Sequence, residues 1–191
     1  MKTSDTAIQE ERAAWRRERR ERRDAVVALR RRALARENLA AVLDDAVDAA
    51  VKVMGVEFAK VLAYDGPRDA LTIAAVRGWR RELIGHVIEG ARDSSQAGYA
   101  LRAGTALVVE VLRRVPELVP ELRGTSLLRE QGVVSGATVV IRGQEGPYGV
   151  LSVHTTKRRI VTPDEVGFLV AVADVIAAAV YRFGLPGARL D

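Results

Sequence analysis

The sequence predicts an α+β domain, an antiparallel sheet with helices on one side, preceded by a long charged helix. Three observations carry this. Two β-rich pairs are each split by a turn containing Gly and Pro. The apolar part of the chain closes on a helix with a strong start signal. The stretch Gln9 to Glu37 contains neither Gly nor Pro and is dominated by Arg, Glu and Ala, all good helix formers.

The first element follows from its charge. Gln9 to Glu37 holds eleven arginines and six acidic residues, so its net charge of +5 equals that of the whole chain. Its apolar residues Trp15, Val26, Leu29 and Ala33, continued by Ala40 and Leu43, fall from Val26 onward at spacings of three, four and seven. Such a narrow seam cannot be buried by a lone helix, so a coiled-coil partner is expected. The acids are interleaved with the arginines, and Glu18 with Arg22 is an acid-before-base pair. That pattern favours a solvated strut over a nucleic-acid arm, although Arg30, Arg31 and Arg32 form a basic triplet. Any duplex binding by so few excess charges is expected to vanish by about 150 mM salt.

From Asn38 the residues Leu39, Leu43, Val47, Ala50 and Met54 share one helical face, with Gly55 as C-cap, and this helix is expected to continue the charged one. Phe58 to Tyr64 and Ala70 to Arg77 read as a hairpin across Asp65 to Asp69. The crossover from Trp79 to Gly90 reads as helical or irregular. Asp93, Ser94 and Ser95 cap a short helix, Gln96 to Arg102, ended by Gly104. Thr105 to Leu112 is a third strand. A loop with two prolines and a short helix, Ser126 to Gln131, leads to strands Val133 to Arg142 and Tyr148 to Thr156, separated by a second turn. Thr162, Pro163 and Glu165 form a capping-box start for the last helix, which is apolar on nearly all sides from Val166 to Val180 and stops at Gly184 and Pro186.

Composition narrows the chemistry. The chain has 191 residues, 48% of them apolar, enough for one domain with a real core. It has no Cys, which excludes disulfides, thiolate nucleophiles and thiolate metal sites. No membrane span and no signal peptide is read, so a cytoplasmic protein is expected.

The runs Gln96 to Val109, Gly132 to Ile141, Tyr148 to Val153 and Thr162 to Leu169, in that order, resemble those of a GAF domain of the bacterial signalling type. The resemblance covers about residues 38 to 183. It leaves 1–37 as a charged helical extension and 184–191 as a short tail. It implies a sensory or regulatory module, with dimer-forming first and last helices on one face of the sheet and a small-molecule pocket on the other.

Not every GAF chemistry fits. Members that attach bilins or reduce free methionine sulfoxide use a Cys, so neither a bilin nor that activity is expected. The cyclic-nucleotide signature is matched only by Lys157, Asp164 and Glu165, with Thr156 and Ile160 at its other positions, and helix capping, which Thr162 and Pro163 support independently, is the preferred account of the two acids. Haem would need an axial ligand, for which only His86 and His154 are available, and neither has supporting carboxylates at ligand spacing. Haem and cyclic nucleotide are therefore disfavoured, and the ligand stays unassigned. No catalytic constellation is found.

By position in a GAF pocket, Trp79, Tyr99 and Leu101 would form a wall, Glu110 and Arg129 would lie near the roof, and Ser135 and Thr138 would sit on the fourth strand. Strand parity leaves open which face of Val133 to Ile141 looks into the pocket. The expected assembly is a homodimer that pairs residues 8 to 54 and the last helix, with Trp15, Val26, Leu29, Ala33, Leu43, Leu169, Val172 and Ile176 in the seam. It would signal to a partner protein through helix packing. The alternatives are a nucleic-acid-associated regulator and a vestigial pocket kept for dimerisation.

Overall fold

The computed structural model describes residues 2–89, 95–112 and 126–185. Helices α1 (Lys2–Ala35) and α2 (Leu39–Met54) lead into the hairpin β1 (Phe58–Asp65) and β2 (Ala70–Arg77), then a 3₁₀ turn (Arg81–Leu83) and β3 (Val87–Glu89). Next come α3 (Gln96–Ala103), β4 (Leu107–Val109), α4 (Ser126–Glu130), the hairpin β5 (Ser135–Arg142) and β6 (Pro147–Thr155), and finally α5 (Pro163–Arg182). The six strands form one sheet in the order β3-β2-β1-β6-β5-β4, and each pairing is antiparallel. The β3 strand, unexpected in a segment read as irregular, extends the edge by pairing Thr72 with Val87.

Both faces of the sheet are covered, by different layers. Ala59 and Val61 of β1, Leu151 and Val153 of β6 and Ala137, Val139 and Ile141 of β5 point into a core shared with α1, α2 and α5. Their neighbours of opposite parity, Phe58, Leu62 and Val150, join Leu71, Trp79, Leu101 and Leu128 in a second core under α3 and α4. A strand buried on both sides reads as a continuous apolar run, which is why parity could not be assigned from sequence.

The charged helix does not continue into α2. It ends at Ala35, and Asn38 takes an extended backbone, its side chain accepting a hydrogen bond from the Ala41 N–H at 2.9 Å. The Arg182 guanidinium of α5 donates to the carbonyls of Ala33 at 2.9 Å and Leu34 at 3.1 Å and also to that of Arg36. It thereby caps the open end of α1. Arg36 makes a two-pronged pair with Asp45, Nε to Oδ2 at 2.8 Å, and this hydrogen bond holds the Asp45 carboxyl below its usual range. The helix therefore turns back onto its own domain.

This corrects the expected seam. Val26, Leu29 and Ala33 are buried together with Leu43, Leu169, Val172 and Ile176 inside one chain, so α1, α2 and α5 supply each other's cover. Trp15 is 48% exposed and donates its indole N–H to Asp164 at 3.1 Å. The original reason for pairing residues 8 to 54 between subunits falls away, because periodicity says that a face is apolar but not what covers it. Val26→Ala tests the docking. It removes two buried methyl groups at about 0.8 kcal/mol each, so a loss of about 1.5 kcal/mol is expected in urea unfolding. No loss would mean that α1 stands off the domain in solution.

The start of α5 is as the sequence predicts. Thr162 Oγ1 accepts from the Glu165 N–H at 3.3 Å, and the Glu165 carboxylate accepts from the Thr162 N–H at 2.9 Å. Glu165 is buried, bonded to Arg159 and 3.7 Å from Arg22. Thr162→Ala should lower stability by about 1 kcal/mol, seen as a lower urea midpoint at an unchanged slope.

Candidate functional site

Alternation along the three central strands places polar side chains on the α3/α4 side of an otherwise apolar layer. Cross-strand register aligns Lys60 of β1 with Ser152 of β6, and Ser152 with Thr138 of β5. One step along, Phe58, His154 and Gly136 make a second row. Thr138 and Ser152 are bonded to each other, hydroxyl to hydroxyl at 2.9 Å. Gly136 leaves room for the imidazole, since a Cβ there would lie 2.5 Å from His154 Nδ1. Trp79 closes this end, its ring centroid 4.5 Å from that of Phe58 and edge-on to His154 at 6.1 Å, with Lys60 Nζ 5.3 Å above the indole.

A small cavity of about 20 Å³, room for about one water, lies between this floor and a cover that includes Ser95, Gln96 and Leu128. Ser95 caps α3 by accepting from the Gly98 N–H at 3.0 Å, which fixes Gln96 at the first turn above the sheet. The polar groups here are not mutually satisfied. His154 is only 2% exposed, and among the described residues neither ring nitrogen has a hydrogen-bond partner, nor do Gln96 Nε2 and Trp79 Nε1. Lys60, 4% exposed, forms no ion pair with a carboxylate among the described residues.

Electrostatics follow from that burial. Desolvation pushes the Lys60 ammonium down from 10.5 to about 8, so it still carries its charge at neutral pH. Burial and then the Lys60 charge hold His154 well below its ordinary value of 6.5, so the imidazole is neutral. A neutral imidazole offers one N–H and one bare nitrogen. The site thus holds one cation and unpartnered donors against an apolar wall of Leu62, Leu71 and Leu128. Buried donors and charges without partners are costly, and they mark a place where a ligand's acceptors would be stabilising.

Of the residues expected in a pocket, the structure brings Thr138, Trp79 and His154 together. Tyr99, half-buried on α3, packs against the edge of the same core. Leu101 is fully buried core. Arg129 is exposed on α4. Glu110 faces outward, its carboxylate paired with Arg158 at 2.6 Å, and Ser135 closes a strand end, donating to the Glu110 carbonyl at 2.6 Å and accepting from the Arg159 N–H at 3.0 Å. Neither lines the cavity. His86 is exposed and lies outside it. Of the roof read as Leu112 to Gly132, residues 113–125 lie outside the described residues, as do the cap candidates Asp93 and Ser94 and the stop residue Pro186. Sequence reading missed Lys60 and Gln96. A lone Lys in the run Ala59-Lys60-Val61-Leu62-Ala63 was the signal for the first; the capping position of Ser95 hides the second.

Asp164 and Glu165, the two acids weighed against a nucleotide signature, lie on the helical side and are engaged by Trp15, Arg22 and Arg159. Among the described residues no three His, Asp or Glu side chains are placed to hold a metal ion, and no helix is long and apolar enough to cross a membrane.

A family model for the GAF domain matches residues 38–180. The GAF domain of an Acinetobacter phosphoenolpyruvate-protein phosphotransferase superposes with a TM-score of 0.71 at 17% identity, covering 84% of this chain and 93% of that one. The corresponding domain of the Coxiella burnetii enzyme gives 0.75 at 14% identity, over 86% and 95%. The free methionine-R-sulfoxide reductase of Neisseria meningitidis, solved with its substrate, gives 0.70 at 14% identity, over 86% and 92%. At these identities the likeness is one of fold. No curated protein matches the sequence.

Proposed function

This chain belongs to the GAF-domain family, and from that premise we propose that it is a non-enzymatic sensory or regulatory module whose ligand is a small molecule bound between β1, β5, β6 and α3. GAF domains of signalling proteins are regulatory modules. The observation that supports a ligand here is the buried cluster of Lys60, Gln96 and His154, which carries a cation and polar atoms unpartnered among the described residues in a layer that is otherwise mostly apolar. A vestigial pocket has no use for such groups, since apolar replacements would be more stable. The missing Cys supports the absence of a bilin and of methionine-sulfoxide chemistry.

The second part of the proposal is a homodimer through the outward face of α1 and α5. Leu34, 77% exposed, lines a groove with Arg30, Ala33, Asp174 and Ala178, and Tyr181 of α5 is 69% exposed. The groove carries Arg30 and Asp174, opposite charges that a two-fold pairing can match. Ligand state in one layer of the sheet would then bias helix packing in the other. Native mass spectrometry and light scattering test both parts together. The expected results are a mass of twice 20.8 kDa and either a retained small molecule or a higher melting temperature with a metabolite set. A monomer that nothing stabilises would overturn the reading.

A further inference from the structure

We propose that the ligand of this pocket is a small monocarboxylate with a short apolar tail, its carboxylate received by Lys60 and Gln96 and its tail by Leu62, Leu71 and Leu128. The inference rests on the ligand-binding reading above and specifies its chemistry. Lys60 is a single positive charge, buried on the floor of the cavity, with no carboxylate of the described chain paired to it. One monoanion neutralises it, whereas a phosphate dianion would leave charge uncompensated in a dry site. The Gln96 amide N–H₂, buried and without a partner among the described residues, adds donors from the cover, on the other side of the same space. Neutral His154 supplies one further N–H. An amine is disfavoured for a different reason, since it would bring a second positive charge beside the buried Lys60 ammonium. The rest of the wall is aliphatic, which favours a tail over a second polar group. At about 20 Å³ the cavity holds about one water, so binding must raise the cover formed by Gln96 and Leu128. That movement would link occupancy to the position of α3 and α4.

The test compares butyrate and benzoate with butyramide, benzamide and butylamine at equal ionic strength, with chloride and phosphate as controls, by thermal shift and calorimetry on the full chain. The carboxylates are expected to raise the melting temperature by several degrees with saturable heat, while the amides, amine and inorganic anions do not. The butyrate affinity should weaken as pH rises past about 8, where the free lysine loses its charge. Lys60→Met should lose the carboxylate response while remaining folded, and Gln96→Leu should weaken it about tenfold. A response undiminished in Lys60→Met would overturn the proposal. Stabilisation by the amides or the amine alone would overturn it and leave the ligand-binding function standing. No stabilisation by these or by a wider metabolite set would overturn both.

Discussion

Gly149→Ala is expected to lower the melting temperature by about 10 °C, the equivalent of roughly 3 kcal/mol or more for a chain of this size. Gly149 sits on β6 opposite Ala63 of β1, at the centre of the sheet and near the shift in register between Val61 and Leu62. A Cβ there would lie 1.9 Å from the Leu62 carbonyl oxygen and 3.0 Å from the Ala63 Cα. The obstacle is backbone, so no rotamer change relieves it, and the two central strands must part. Both layers are affected, because Leu62 and Val150 pack on one side while Val61 and Leu151 pack on the other. Gly167→Ala is the control. That position is on the exposed side of α5 with nothing within 4 Å of the added carbon, and the change should stabilise by about 0.5–1 kcal/mol through helix propensity. Thermal unfolding by circular dichroism compares the two. An unchanged midpoint for Gly149→Ala would mean that β1 and β6 are not so closely paired.

Lys60→Met should make the ligand-free protein more stable at pH 7, by roughly 3 kcal/mol. The difference between 10.5 in the unfolded chain and about 8 in the folded one corresponds to that amount. The sign follows from proton counts. Below pH 8 lysine is charged in both states and the full cost of burying it is present. Between about 8 and 10.5 the folded state has released its proton while the unfolded state keeps it, so stability rises with pH across that window. Wild type should therefore gain stability from pH 7.5 to 10 relative to Lys60→Met. His154 acts at the other end. Its folded value is depressed, so stability falls as pH drops below 6.5, where the unfolded imidazole takes up a proton that the folded one refuses. Urea midpoints of wild type and Lys60→Met from pH 5 to 10 check both slopes. Parallel curves would show that Lys60 is not desolvated. A stabilising replacement at Lys60 would identify it as a residue kept for function at a cost in stability.

Much of the layout was legible in the residues because its signals are local. The turn at Asp65 to Asp69 and the Thr162 to Glu165 capping box each lie within a few positions, and both form as read. The order of four motifs carried the family. Gly55 takes the left-handed C-cap conformation, φ 60°, for the same local reason.

The remaining features depend on which surfaces meet. The spacing of Val26, Leu29 and Ala33 required cover, but α2 and α5 of the same chain and a second subunit satisfy that requirement equally in sequence. The break at Asn38 and the Arg182 bonds to the end of α1 decide in favour of the chain itself. The site was hidden for a related reason. β1 and β5 are buried on both faces, so alternation is erased and parity could not tell Thr138 from Val139, or show that Lys60 faces inward. Only the pairing of β1, β6 and β5, with α3 laid across them, brings Lys60, His154 and Gln96 around one cavity. Local sequence sets what each segment can form, whereas the burial of a charge depends on contacts made across the whole chain.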